Sequence, residues 1–143
     1  MTDQPYTPSE GPPQGSAPHL FDRIGAERLH RFSRRQYQKL SQSGIAALFP
    51  SEPEELQAAA GRQADFLTGV IGGPPVYREK YGPPRMRMRH FPFEIDEAAR
   101  QEWLRCFRSA FVEEQGLGLD LPDQQRLLDW VERFSAWMVN KSS

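Results

Sequence analysis

Apolar residues recur at helical spacing along most of the chain. Between Ala26 and Leu40, the side chains of Leu29, Phe32, Gln36, Tyr37 and Leu40 fall near one face at a period of about 3.6, which predicts an amphipathic helix. Gly44 ends or bends that segment. Ile45, Leu48 and Phe49 then form an apolar corner before Pro50. Ser51 is placed to cap a second helix, with Glu54 and Glu55 in its first turn, where negative charge meets the positive helix end. That helix carries Leu56, Ala59, Ala60, Gln63, Phe66, Leu67, Val70 and Ile71, and Gly72-Gly73-Pro74-Pro75 stops it.

The stretch from Val76 to Glu94 reads as irregular, broken by Gly82, Pro83, Pro84 and Pro92. Asp96 then looks like an N-cap for a helix striped with Ala99, Trp103, Cys106, Phe107, Ala110 and Phe111. Gly116 and Gly118 close it. A last helix starts near Pro122 and carries Leu127, Leu128, Val131, Phe134, Trp137 and Met138. No convincing strand alternation occurs outside Arg85–His90, so the fold class is all-α. Residues 1–18 alternate Pro with Gly, Ser and Gln and hold almost nothing to bury. They read as a disordered Pro-rich tail preceding one domain over 19–143.

Composition narrows the function classes. With 143 residues the chain suffices for one core, and 11% aromatics can fill it with bulky side chains. A net charge of −1 gives no field for nucleic acid or a membrane surface. Cys106 is the sole cysteine, which excludes an internal disulfide and a cysteine zinc cage and suits a reducing cytoplasm. No apolar run approaches the roughly 18 residues of a membrane span, and the first residues do not resemble a signal peptide. A cytoplasmic protein is expected.

The unusual segment is Arg85-Met86-Arg87-Met88-Arg89-His90-Phe91-Pro92-Phe93, and its residues allow three readings. A strand would put the arginines on one face, but it has no partner in a helical chain. A basic patch would grip phosphates, but no second basic element supports it. A short helix ending at His90 would stack Met86 and His90 one turn apart, facing the interior, beside cations. That combination suits a haem, whose iron needs an axial base, whose porphyrin needs an apolar slot and whose propionates need cations. A lone histidine on an apolar face is more often a hydrogen-bonded core residue, so the residues alone leave ligand and core side by side. His19 and His30 offer no competing cluster.

The order and spacing of Gly72-Gly73-Pro74, Tyr77, Arg85 through His90, Pro92-Phe93 and Trp103-Leu104-Arg105-Cys106, with Leu20 through Gly25 ahead of them, resemble the truncated haemoglobins of the HbO type, group II. The resemblance runs from about Leu20 to Asn140. It implies a two-on-two helical sandwich around haem b (iron protoporphyrin IX), with His90 as the proximal ligand. It puts Trp103 above the haem and Tyr37 in place of the family's distal tyrosine, although the family usually has Phe-Tyr where this chain has Gln36-Tyr37. Phe49 matches the aromatic at the bend, and Ala59 stands where many globins place a distal histidine. Gln63 lies one turn further on, facing the iron. Arg62 and Tyr77 match positions that meet the propionates, with Arg89 or Arg87 next in line. Phe66 and Met86 line the slot.

By the same resemblance, Tyr37, Gln63 and Trp103 would donate to dioxygen or another diatomic ligand and retain it. The alternative is an NO dioxygenase or peroxidase-type enzyme served by an external reductase. A haem-free helical interaction module is the reading from a different class. The expected state is a monomer or weak homodimer, with no nucleic-acid or membrane partner.

Overall fold

The computed structural model describes residues 19–142, and the Pro-rich stretch 1–18 lies outside the described residues. Four long helices carry the fold: α2 (Ala26–Leu40), α3 (Pro53–Val70), α6 (Glu97–Glu113) and α7 (Leu121–Met138). Three short ones fill in: α1 (Phe21–Ile24), α4 (Val76–Tyr81) and α5 (Met86–Arg89). No strand occurs among the described residues. The long helices form a two-on-two arrangement in which α2 packs on α3, α6 packs on α7, and α2 also crosses α6. No helix among the described residues is long and apolar enough to cross a membrane.

The periodic positions are the buried ones. Leu29 and Phe32 of α2 pack in one core cluster with Leu104, Phe107 and Ala110 of α6 and Leu127 and Val131 of α7, with Leu20, Ala64 and Ile71 alongside, and Leu40 and Cys106 are buried as well. Phe32 meets Phe107 edge-on at 4.8 Å between ring centroids, the favoured geometry for two aromatic quadrupoles. A smaller cluster of Tyr77, Met86 and Met138, joined by Phe66, Phe134 and Trp137, lies under α4 and α5.

Two boundaries depart from the sequence reading. Ser51 does not cap α3: the capping position is Glu52, without a side-chain hydrogen bond, and Pro53 opens the helix instead. Proline suits that position because the first helical N–H groups lack partners in any case. The stretch from Val76 to Glu94 is not irregular throughout, since α4 and α5 both lie in it. Asp96 does cap α6, accepting from the Ala99 N–H at 2.8 Å. At Gly73 a Cβ would lie 2.7 Å from both Phe21 and Thr68, so only glycine lets α1 dock on the turn that ends α3. The Ile71 carbonyl accepts from both Leu20 and Phe21 N–H there.

Candidate functional site

His90 sits at the C-terminal end of α5, as the short-helix reading expects. Its Nδ1 lies 2.7 Å from the Met86 carbonyl, one turn earlier. A carbonyl only accepts, so Nδ1 carries the proton and Nε2 carries the lone pair. Nε2 has no partner among the described residues. Burial pushes the imidazole below its ordinary pKa, the Met86 hydrogen bond opposes that, and Arg89 adds to it. The ring is therefore neutral near neutral pH, with one nitrogen free to ligate.

The donor set can be tested against a metal. No group of three or more His, Cys, Asp or Glu converges among the described residues, so His90 would be a single protein ligand. That fits a metal whose remaining ligands come with it, as in a porphyrin. The apolar surroundings fit too: Met88, Phe91 and Phe93 flank His90 with 54%, 52% and 43% exposure, leaving apolar area without a protein cover.

Several groups hold His90 in position. Arg87 donates from Nε to the Trp137 carbonyl (2.9 Å) and from Nη2 to the Val139 carbonyl (3.1 Å), tying α5 to the end of α7. Arg89 donates to the carbonyls of Pro84, Tyr81 and Pro83 at 2.6, 2.8 and 3.0 Å and lies over the Tyr77 ring. Asn140 clamps the following loop. It donates to the Phe93 carbonyl (2.9 Å) and the His90 carbonyl (3.3 Å) and accepts from the Ile95 N–H (2.8 Å). Sequence reasoning missed Asn140, because a single Asn beyond the last helical stripe carries no local signal.

A second group of expected residues lies on α2, α3 and α6, which hydrogen bonds join to one another. Tyr37 is half-buried, with its ring edge-on to Phe49 at 5.4 Å. Burial pushes its phenol up to about 12, partly opposed by Arg62. Trp103 is half-buried and packs on Phe107. Neither the Tyr37 hydroxyl nor the Trp103 indole N–H has a hydrogen-bond partner among the described residues. No fully buried side-chain polar atom is left unpaired there, so both groups open onto accessible space.

Gln63 behaves differently. Its Nε2 donates to Gln36 Oε1 at 2.7 Å and approaches Ser33 Oγ at 3.4 Å. Gln36 is fully buried and completes the chain by donating from Nε2 to the Trp103 carbonyl at 3.5 Å. The departure from Phe-Tyr to Gln36-Tyr37 was the signal in the sequence for this polar cluster.

The remaining expected residues are spread around this frame. Arg62 is exposed and makes no ion pair among the described residues. Ala59 is half-buried and apolar, so α3 offers no imidazole there. Phe66 and Met86, with Arg85, Trp130, Phe134 and Trp137, line a cavity of about 190 Å³ behind α5. A larger cavity of about 300 Å³ lies at the α2–α3 corner, lined by Gln38, Pro50, Ser51 and Leu56, and holds none of the expected residues.

Residues 19–140 match the family model described as bacterial-like globin. The group 2 truncated hemoglobin YjbI of Bacillus subtilis is 32% identical over 122 residues, covering 85% of this chain and 89% of the relative. Among solved structures, the phosphate-bound Hell's gate globin IV superposes with a TM-score of 0.82 at 34% identity, covering 92% of this chain and 81% of that one. The truncated oxygen-avid haemoglobin from Bacillus subtilis superposes with a TM-score of 0.75 at 32% identity, covering 84% of this chain and 98% of that one.

Proposed function

The chain belongs to the bacterial-like globin family as a group II truncated haemoglobin, and from that membership we propose that it binds haem b through His90 and retains dioxygen, or another small diatomic ligand, beside Tyr37 and Trp103. The observation that carries this reading is the His90 ring, held by the Met86 carbonyl with its other nitrogen unpaired. Haem, when bound, supplies an iron with an open position for a diatomic ligand.

The protein supplies the rest. His90 would hold the iron through Nε2, while the Nδ1–H···O=C bond fixes the ring and raises its basicity. Phe49, Phe66 and Met86 would form apolar walls. Arg62, Tyr77 and Arg89 would meet the propionates. Arg89 is already committed to three carbonyls, which leaves Arg62 the freer cation.

The Tyr37 hydroxyl and the Trp103 indole are donors without an internal partner, suited to a ligand whose outer atom carries partial negative charge. A hydrogen bond to a charged acceptor contributes about 1.5–3 kcal/mol, and about 1.4 kcal/mol is tenfold in equilibrium. Two such donors favour retention over release, and the similarity to an oxygen-avid haemoglobin supports that. Turnover of nitric oxide or peroxide would draw electrons from an external reductase. A cytoplasmic location belongs to the same proposal and rests on the lone, buried Cys106.

The test is the absorption spectrum of the purified holoprotein beside His90→Ala. The wild type should give the Soret band of a histidine-ligated haem, and the variant should lose it or bind haem without that signature. An unchanged spectrum in His90→Ala would overturn the assignment.

A further inference from the structure

The orientation of a side-chain amide is set by the polarity of its partners, and the partners of Gln63 form a chain with a fixed end. That end is the Trp103 backbone carbonyl, which can only accept. Gln36 must therefore turn its NH₂ toward it, as found at 3.5 Å. The Gln36 Oε1 then faces α3 and accepts from Gln63 Nε2 at 2.7 Å. Reversing Gln63 would set two carbonyl oxygens against each other unless Gln36 also reversed, and Gln36 would then present oxygen to the Trp103 carbonyl. Gln36 is fully buried, so leaving either of its ends unpaired would be costly. Ser33 Oγ, at 3.4 Å, takes the remaining Gln63 N–H direction.

Gln63 is therefore left with an acceptor. Its Oε1 has no partner among the described residues, and with no unpaired side-chain polar atom buried there, it opens onto accessible space. Resting on the haem-site reading above, we infer that Gln36 is a positioning residue that holds Gln63 with its carbonyl oxygen toward the bound ligand, so that Gln63 favours ligands bearing a proton, such as water or hydrogen sulfide, over dioxygen and carbon monoxide. Ligand retention then rests on Tyr37 and Trp103 alone. Gln63 works against them as a polarity filter, contrary to the donor role its position suggests.

The sign of an infrared shift tests this. In the carbon monoxide complex of the holoprotein, a lone pair near the ligand raises the C–O stretching frequency and a donor lowers it. Gln63→Leu should lower the frequency. Gln36→Met, which keeps the volume but frees the Gln63 amide to reverse, should lower it as well. In the Gln63→Leu background, Gln36→Met should add nothing. Dioxygen release should slow in Gln63→Leu by up to about tenfold, the worth of one neutral hydrogen bond.

A frequency that rises or stays put in Gln63→Leu would overturn the inference, as would a Gln36→Met shift that persists without Gln63. Should Gln36→Met fail to fold, the wild-type holoprotein with labelled glutamine decides: the Gln63 amide protons should exchange slowly, and fast exchange overturns the inference. A wild type that takes up no haem would sink this inference together with the reading beneath it. A holoprotein with the wrong sign would sink this one alone.

Discussion

Tyr37 has a phenol pushed up to about 12 by burial, so it remains a donor across the whole range in which the protein would work. The contribution to ligand retention proposed for Tyr37 should therefore not titrate. Dioxygen dissociation in Tyr37→Phe, divided by that of the wild type, is expected to be the same at about pH 7 and about pH 10 in stopped flow, because both lie below the raised pKa. Trp103→Phe keeps the packing on Phe107 but removes the indole donor, and should speed dissociation about tenfold or more. An unchanged rate would remove Trp103 from the retaining pair. The resemblance to the family's spaced motifs marked His90 and Trp103 as candidates in the sequence, and Tyr37 despite its Gln36 neighbour. The direction of the Gln63 amide was not legible there, since a hydrogen bond reaching from α3 to α2 has no signature in either segment alone.

The element that carries the candidate ligand is among the shortest. An isolated helix of the length of α5 is unstable in water, where even helices shorter than about 12 residues are marginal. It is held by tertiary hydrogen bonds, in which side chains donate to backbone carbonyls on and around it. Arg87, Arg89 and Asn140 serve that purpose. The arginines look from the sequence like propionate partners, and in the fold two of them first hold the chain that carries His90.

Asn140→Ala removes three hydrogen bonds at once and should cost about 1–3 kcal/mol in chemical denaturation. It should also weaken haem retention, because the loop after His90 loses its clamp. Asp96→Ala removes only the cap of α6 and should cost about 1 kcal/mol. Haem spectra of the Asp96 variant should be unchanged, which separates a loss of stability from a loss of the site.

At the scale of the molecule, buried carboxylates join the helices. Glu114, at the end of α6, is buried and accepts from Arg31 Nε at 3.0 Å and Arg35 Nε at 2.5 Å, both on α2. Burial raises its pKa, but the two arginines outweigh this and hold it below the ordinary 4.5. A depressed folded-state pKa adds stability that is complete above the ordinary value and is lost as the pH falls through the folded one. Glu114→Gln should therefore cost about 1–3 kcal/mol near neutral pH, and the gap to wild type should close as the pH drops below about 4.5. A gap that does not narrow would show that the arginines do not depress Glu114. Asp65 on α3 lies 3.4 Å from His30 on α2 and 3.0 Å from Lys80 on α4.

The periodicity of apolar residues, the Gly-Gly-Pro-Pro break and the Asp96 cap sufficed for an all-α chain with the right long helices, because helix faces and breakers are written at short range. The spaced motif sufficed for the family, and through that resemblance it marked His90 as the candidate ligand. Only the tertiary structure decided that α4 exists, that the segment before His90 takes the short-helix form among the readings its residues allow, that Glu52 rather than Ser51 precedes α3, and that Asn140 grips the loop beyond His90. It alone also turned the Gln63 nitrogen toward Gln36. Each of these depends on partners from a different helix or a distant turn, and such hydrogen bonds form only once the helices have packed.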